Sequence, residues 1–449
     1  MSDYMFMLES HLSASQNRAV SQVQRAAAQA NVNLFLTGGA VRDMLGGFPI
    51  RDLDFTVEGN ALKLAKVVAK EPGAEVIAVD EHRRSVEMLF SGGVTAEIAM
   101  ARQERYVKIG GRPIVTPATI HEDLRCRDFS INAVALSLNR ASLGLLLDPT
   151  NGIADLEHRE LRTVYSRALY DDPGRLLRLI RFRVRFGLTV DPRTQQQYEN
   201  VRLEELEKHV TGRRLFSELA QIAAEANPAE VLQLLEQEKM LALFSPALAG
   251  VKLNLAGFAR LQKAKQLVPF GADLPVDNLA LFLFLLNEKL SPKERTALAQ
   301  STAMRPAEAG LGNRLAAGAK KLEGELKSAK IKKASQVYKV LSAAPGEQIL
   351  LLFVNSSIRV VQDRIRNYFQ KYLPAAMEVT DREVAATGVE PGTSKFKKAK
   401  EEMIRIRLDS RPKKAPEPEP EAVAAPADPM LRGREALAAR MHRPAGPRT

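Results

Sequence analysis

A two-glycine turn followed by two aspartates one residue apart, within residues 37–55, constrains this chain more than any other segment. Val32 to Leu36 is a short apolar run with the character of a buried strand ending at Thr37. Gly38 and Gly39 follow, and without Cβ atoms they let a turn of backbone aim several N–H groups at a phosphate. Ala40 to Leu45 reads as a helix, whose N-terminus would also favour an anion. Ile50 to Val57 reads as a second strand, in which alternation puts Asp52 and Asp54 on one face and Leu53 and Phe55 on the other. Paired carboxylates beside a phosphate turn suit magnesium, which takes one or two protein oxygens and completes its shell with substrate phosphates. Two such ions, roughly 3.5–4 Å apart, would activate an attacking hydroxyl and steady a leaving pyrophosphate. A plain turn and an exposed strand edge are the alternative reading of the same residues.

The rest of the chain narrows the setting. A length of 449 residues predicts two to four domains, and 45% hydrophobic with 26% charged residues describes an ordinary globular chain. The 65 basic against 53 acidic side chains leave a formal charge of +12, which suits a polyanionic partner such as RNA. The single cysteine, Cys126, excludes an intramolecular disulfide and a multi-cysteine zinc site. The start Met1-Ser2-Asp3-Tyr4 lacks the basic and apolar regions of a signal peptide, so a cytoplasmic location is expected. Apolar runs such as Leu279 to Leu286 and Ile349 to Val354 fall short of the roughly 20 residues that cross a bilayer and read as buried helices, so no membrane partner is expected.

Gly-Gly-Ala-Val-Arg-Asp from Gly38, followed by Asp-Leu-Asp-Phe from Asp52, resembles the signature of the class II tRNA nucleotidyltransferase and bacterial poly(A) polymerase family. The resemblance implies an α/β head of the polymerase-beta-like nucleotidyltransferase type, followed by all-helical neck, body and tail domains. It implies Asp52 and Asp54 as catalytic metal ligands with Glu97, in the period-two run Val94 to Ala99, as the third carboxylate. It implies Gly38, Gly39 and Arg42 in nucleotide binding. Arg127-Asp128-Phe129-Ser130-Ile131-Asn132-Ala133 is similar to the family's Arg-Asp-Phe-Thr-Ile-Asn-Ala block, so Arg127, Asp128 and Asn132 inherit contacts to ribose and phosphates. Cys126 stands where the family usually has another arginine.

A third block, Asp171-Asp172-Pro173-Gly174-Arg175, resembles the family's Glu-Asp-x-x-Arg element, with Asp171 replacing the usual Glu. Asp172 ahead of a helix opened by Pro173, and Arg175 about one turn on, can present an acceptor and donors side by side. Cytosine and adenine each carry an exocyclic amine beside a ring-nitrogen acceptor, which matches that pair, whereas uracil and guanine present a carbonyl and an N–H. Beyond it Leu176, Ile180 and Val184 form an apolar stripe, and Arg178, Arg181 and Arg185 share another helical face. Arg178 is assigned to the nucleotide, and Arg181 and Arg185 to RNA phosphates or to a solvated face.

Four regions follow: a catalytic head over 1–154; a helical neck over 155–244, with a bracing block Val210 to Leu219; a helical body over 245–408 that suits tRNA binding; and a Pro- and Ala-rich basic tail over 409–449, expected to be disordered. The favoured expectation is addition of C, C and A to the tRNA 3′ end from CTP and ATP with two Mg²⁺ ions, reading RNA shape. Poly(A) synthesis, CC-only or A-only addition are the alternatives, the last two because Arg102 to Pro113 resembles the loop region of specialised enzymes. An inactive RNA-binding protein on the same fold is the reading from another class, and no subunit count follows from the sequence.

Overall fold

In the computed structural model residues 3–410 are described, so the tail expected from 409 lies outside the described residues beyond Ser410. Two helices, α1 (Asp3–His11) and α2 (Ala14–Gln29), precede the first strand. Ser13 caps α2 through a reciprocal box in which its hydroxyl accepts from Gln16 N, and α2 buries Val20, Val23, Ala26 and Ala27. The head then builds β1 (Asn33–Thr37), α3 (Gly38–Leu45), β2 (Leu53–Glu58), α4 (Ala61–Val68), β3 (Ala74–Asp80), β4 (Ser85–Phe90) and β5 (Val94–Met100). A short hairpin, β6 (Arg102–Arg105) with β7 (Ile114–Pro117), and α5 (Ile120–Arg125) lead to β8 (Ala135–Ser137) and β9 (Leu146–Leu147).

The seven-stranded sheet has the order β3-β4-β5-β2-β1-β8-β9. Most neighbours run antiparallel, but β2 and β5 are parallel and set Asp54 opposite Glu97. Alternation works as the sequence implies: Leu53 and Phe55 are buried while Asp54 between them stays partly exposed. Leu34, Leu36, Phe55, Val57 and Ile98 bury almost completely in the head core, each contributing about 1.5–3 kcal/mol. One boundary differs from expectation. The strand starts at Leu53 rather than Ile50, so Asp52 sits in a bend at its mouth, exposed, because β1 ends at Thr37 and turns into α3, leaving no partner there.

After the head the chain is helical: α6 (Gly152–Glu157), α7 (Ala168–Asp171), α8 (Gly174–Phe186), α9 (Pro192–Leu203), α10 (Arg213–Ala223) and α11 (Pro228–Gln237). A two-stranded parallel ribbon, Glu160–Leu161 with Thr189–Val190, ties the start of this region together. A second core begins with Phe129 and Ile131 of the head, runs through Leu176, Leu177 and Ile180 of α8, and continues through Leu350 to Leu373. Gly152 admits that junction, since a Cβ there would lie 2.0 Å from the Ser130 carbonyl oxygen. The two apolar runs lie in helices Asn278–Asn287 and Gly346–Asn355, both largely buried. No single described helix is long and apolar enough to cross a membrane. The protein is thus a mixed-sheet head followed by a mostly helical remainder, the two-stranded ribbon correcting the all-helical expectation.

Two compact units are distinguishable: Met1–Lys332 with Gln336–Pro374, and Lys333–Ser335 with the chain from Ala375. Within the second, helices Asp381–Ala385 and Ser394–Ser410 bury Val384, Phe396, Ile404 and Leu408, and Ser335 Oγ bonds Asp409 Oδ2 at 2.8 Å. Lys395, Lys397 and Lys398 are exposed on the longer helix.

Candidate active site

Every site residue named from the sequence lines one cleft of about 950 Å³ in the first unit. At its floor Gly38 takes φ +62°, a left-handed conformation that favours glycine, and turns the chain from β1 directly into α3. A Cβ there would stand 3.1 Å from Arg127 Nη1 and 3.2 Å from Asp54 Oδ2. Gly39 N donates to Asp54 Oδ2 at 3.0 Å, so the turn and the carboxylate are built as one piece. Asp52 Oδ1 accepts from Thr95 Oγ1 at 2.8 Å, which ties the bend to the start of β5. Burial, then the charges of Glu97 and Asp52, push the Asp54 carboxyl up to about 7, against the pull of Arg127 and the Gly39 N–H. A carboxyl so crowded by its own kind gains from a cation.

Arg127 is held in place at several atoms. Its Nε donates to Asp123 Oδ2 at 3.0 Å, and its Nη2 to Thr37 Oγ1 and Thr56 Oγ1 at 3.2 and 3.1 Å. Asp128 accepts from Phe129 N, Asn132 Nδ2 and Arg178 Nη1 at 2.7, 3.0 and 2.5 Å. Burial would raise its carboxyl, but Arg178 and Arg175 hold it well below the usual carboxylate range.

Asp128 is one link in a closed ring of polar side chains that joins head to helices. Asn132 Oδ1 accepts from Arg42 Nη1 at 2.6 Å, and Arg42 pairs with Asp43 at 2.7 Å. Asp43 pairs with Arg185 at 2.8 Å, Arg185 with Glu225 at 3.8 Å, and Glu225 with Arg181 at 3.0 Å. Arg181 and Arg178 both face Glu218 at 3.5 Å, and Arg178 closes the ring on Asp128. Arg42 also lies over the Phe182 and Phe186 rings at 5.1 and 4.6 Å. The guanidiniums of Arg181 and Arg185 are therefore engaged by protein carboxylates, and a phosphate would have to compete with Glu218, Glu225 and Asp43 for them.

Glu225 is buried and serves Arg51, Arg181 and Arg185. Glu225→Ala is expected to destabilise folding by about 3 kcal/mol, because Arg181 keeps only a misaligned partner in a nearly water-free place. Replacing Arg181 and Glu225 together by methionine should recover most of that loss. Urea unfolding of the two variants checks this; a cost below about 0.5 kcal/mol for the single change would show that the joint does not depend on Glu225.

At the other end of the cleft Pro173 opens α8, and Asp172 and Arg175 stand together as the spacing implies. Asp172 Oδ1 accepts from Gly174 N at 3.0 Å and pairs with Arg214 Nη2. Its Oδ2 lies 3.8 Å from Arg175 Nε, beyond hydrogen-bond distance. Arg175 Nη1 donates to Tyr165 Oη and Ala168 O at 3.1 and 3.3 Å, which fixes the plane of the guanidinium. One acceptor oxygen beside one braced guanidinium can read an amine next to a ring nitrogen.

Sequence reasoning did not name Asp43, Asp123, Arg214, Glu218 or Glu225, nor Tyr106 in the same cleft. Arg214 and Glu218 lie in the block Val210 to Leu219, which was a signal; Glu225 carried none, since its partners come from α8 and from the segment before β2.

The family described as Poly A polymerase head domain matches residues 34–162. An A-adding tRNA nucleotidyltransferase of Halalkalibacterium halodurans is 35% identical over 240 residues, 52% of this chain and 56% of the relative. An A-adding tRNA nucleotidyltransferase of Aquifex aeolicus is 30% identical over 345 residues, 75% of this chain and 40% of the relative. A CC-adding tRNA nucleotidyltransferase of Deinococcus radiodurans is 34% identical over 206 residues, 46% of this chain and 54% of the relative. The chain spans about half the length of the curated relatives it matches. Among solved structures, the Thermotoga maritima CCA-adding enzyme complexed with tRNA shares the fold at TM-score 0.51 and 24% identity, covering 98% of this chain and 99% of that one. CCA-adding enzymes solved with ATP and with CTP share it as well, each at TM-score 0.51 and at 22% and 24% identity, both covering 98% of this chain and 99% of theirs. Residues 34–162 match the poly A polymerase head domain, and over part of its length the chain is similar to A-adding and CC-adding tRNA nucleotidyltransferases.

Proposed function

We propose that this protein is a template-independent RNA nucleotidyltransferase that adds C, C and A to the 3′ end of tRNA from CTP and ATP. The observation that carries the reading is the convergence, in one cleft, of the glycine turn, the Asp54–Glu97 register pair and the Asp172–Arg175 pair. Asp52, Asp54 and Glu97 suit magnesium: hard oxygen donors on two adjacent strands and the bend at the mouth of one, with the Asp54 carboxyl pushed up to about 7. Among the described residues no three His, Cys, Asp or Glu side chains are gathered so as to hold an ion by themselves, so substrate phosphates and water would have to complete the shell. Bound there, magnesium would polarise the α-phosphate and lower the pKa of the attacking 3′-hydroxyl.

The chain's own groups do the rest. The N-terminus of α3 and Arg127 favour the triphosphate, and Asp128 and Asn132, held by Arg178 and Arg42, position the sugar. Asp172 Oδ2 accepts from the exocyclic amine while Arg175 donates to the ring nitrogen. The 3′-hydroxyl oxygen attacks the α-phosphorus, its proton is lost, pyrophosphate leaves and the strand is one nucleotide longer. The exposed lysines of helix Ser394–Ser410 suit the tRNA backbone.

A second reading, addition of A alone, is favoured by the names of the Halalkalibacterium and Aquifex relatives. Incubation with Mg²⁺ and tRNA transcripts that end before CCA, after C or after CC, with CTP, ATP or both, separates the readings at single-nucleotide resolution. Growth to CCA and then arrest is the expected result. Extension of only the CC-ended transcript by one A would give the second reading, a long A ladder would mean poly(A) synthesis, and no extension of any transcript would reject transfer.

A further inference from the structure

We propose that Tyr106 is the stacking platform for the base of the incoming nucleotide, an inference that rests on the transferase reading above. Tyr106 follows β6 and lines the cleft. Its hydroxyl donates to Glu104 Oε2 at 3.1 Å, Arg102 Nε holds the same carboxylate at 2.9 Å, and Arg102 N donates to Asp123 Oδ1 at 3.1 Å. The phenol is thereby pinned at its polar edge to the head, next to the block that carries Arg127 and Asp128.

Tyr106 lines the same cleft as Asp172 and Arg175, and after burial and Glu104 the charges of that pair act on its hydroxyl. The loop beyond Tyr106 is held to their end of the cleft, since Gly110 N donates to Asp171 O at 3.1 Å and Gly110 O accepts from Arg214 Nη1 at 3.3 Å. Of the other phenylalanine and tyrosine side chains that line the cleft, Phe55 and Phe182 are buried at 1% and 3% exposure, whereas Tyr106 is partly exposed. Tyr165 is not among the cleft-lining residues and has the Arg175 guanidinium over its ring at 5.7 Å.

An acceptor and a guanidinium in one plane fix the edge of a base and leave its faces unsupported. A ring against one face restrains tilt and adds affinity whatever the base, because every base has a π-face. The two functions then separate: Arg175 and Asp172 choose the nucleotide, and Tyr106 holds it.

The test uses the full chain with Tyr106→Phe and Tyr106→Leu. With tRNA saturating, Tyr106→Leu is expected to raise KM for CTP and ATP alike by about 5- to 100-fold, with kcat within about threefold and no change in preference over UTP. Tyr106→Phe, which keeps the ring and loses the bond to Glu104, should stay within about threefold of the parent. Leucine behaving like phenylalanine, phenylalanine failing like leucine, a shift in base preference, or a KM rise for tRNA alone would each overturn the proposal. Calorimetric binding of CTP to the same variants with Mg²⁺ keeps the inference separate from the transferase reading: a parent that binds CTP more tightly than Tyr106→Leu, yet extends no transcript, would sink only the latter.

Discussion

Asp54→Asn is expected to lower nucleotide transfer at least about a thousandfold while leaving tRNA affinity within about twofold, since it removes a central oxygen ligand worth several kcal/mol of charge stabilisation at the reacting phosphate. The substitution keeps the volume of the side chain, so the turn at Gly38 has no cavity to collapse into. A second consequence follows from the crowding of carboxylates around Asp54. Its carboxyl titrates at about 7 in the cation-free protein, so a proton occupies the ligand below that value and must leave when a cation binds. Affinity for Mn²⁺, a stand-in for Mg²⁺, should therefore rise about tenfold per pH unit up to about 7 and level off above it. The sign is that of a raised carboxyl: protonated and weakly binding on the acid side, ionised and strongly binding on the alkaline side. Asp54→Asn should bind weakly at every pH. Transfer retained within tenfold, or a flat Mn²⁺ profile in the parent, would remove Asp54 from the metal site.

Arg175→Ala should reduce the preference for CTP and ATP over UTP and GTP by about a thousandfold in ratios of kcat/KM, the scale of discrimination lost when a site built to pair polar groups no longer does so. The geometry explains why one side chain has so large a share. Asp172 Oδ1 is already taken by Gly174 N and Arg214, and Arg175 Nε lies 3.8 Å from Oδ2, so Arg175 supplies the donor beside the acceptor oxygen left for a base. Arg175→Lys should recover little, because a point charge replaces a fork braced by Tyr165 and Ala168. Competition between labelled CTP and UTP on one transcript measures it, and an unchanged ratio would take Arg175 out of base selection.

Much of the site was readable because its motifs are local. The turn at Gly38-Gly39, the alternation Leu53-Asp54-Phe55 and the step from Asp172 to Arg175 each depend on a few consecutive residues, and the glycine turn, the alternation and the helix opened by Pro173 are all in the structure. The place of Glu97 could be proposed from its alternating pattern, but its register opposite Asp54 comes from a parallel pairing that no local pattern specifies. Asp52 was placed within a strand because period-two alternation extends back to Ile50; the bend that precedes Leu53 reflects the missing partner there, which is a tertiary fact. The arginines of α8 show the same limit. Helical spacing correctly groups Arg178, Arg181 and Arg185, yet their partners Asp128, Glu218, Glu225 and Asp43 come from three other segments, so charge alone suggested solvent or RNA where the fold supplies carboxylates.

The closed ring from Asp43 through Asp128 to Glu225 has a bearing on how such chains can change. Asp43 and Asp128 on the head side are each met by an arginine of α8, and Arg178, Arg181 and Arg185 each face a glutamate further along. A change at one member of this ring without its partner would bury a charge that lacks its counterion at the seam. Substitutions at this joint are therefore expected to be tolerated in pairs, so the head and the helices behind it behave as one unit although the matched head domain ends at residue 162.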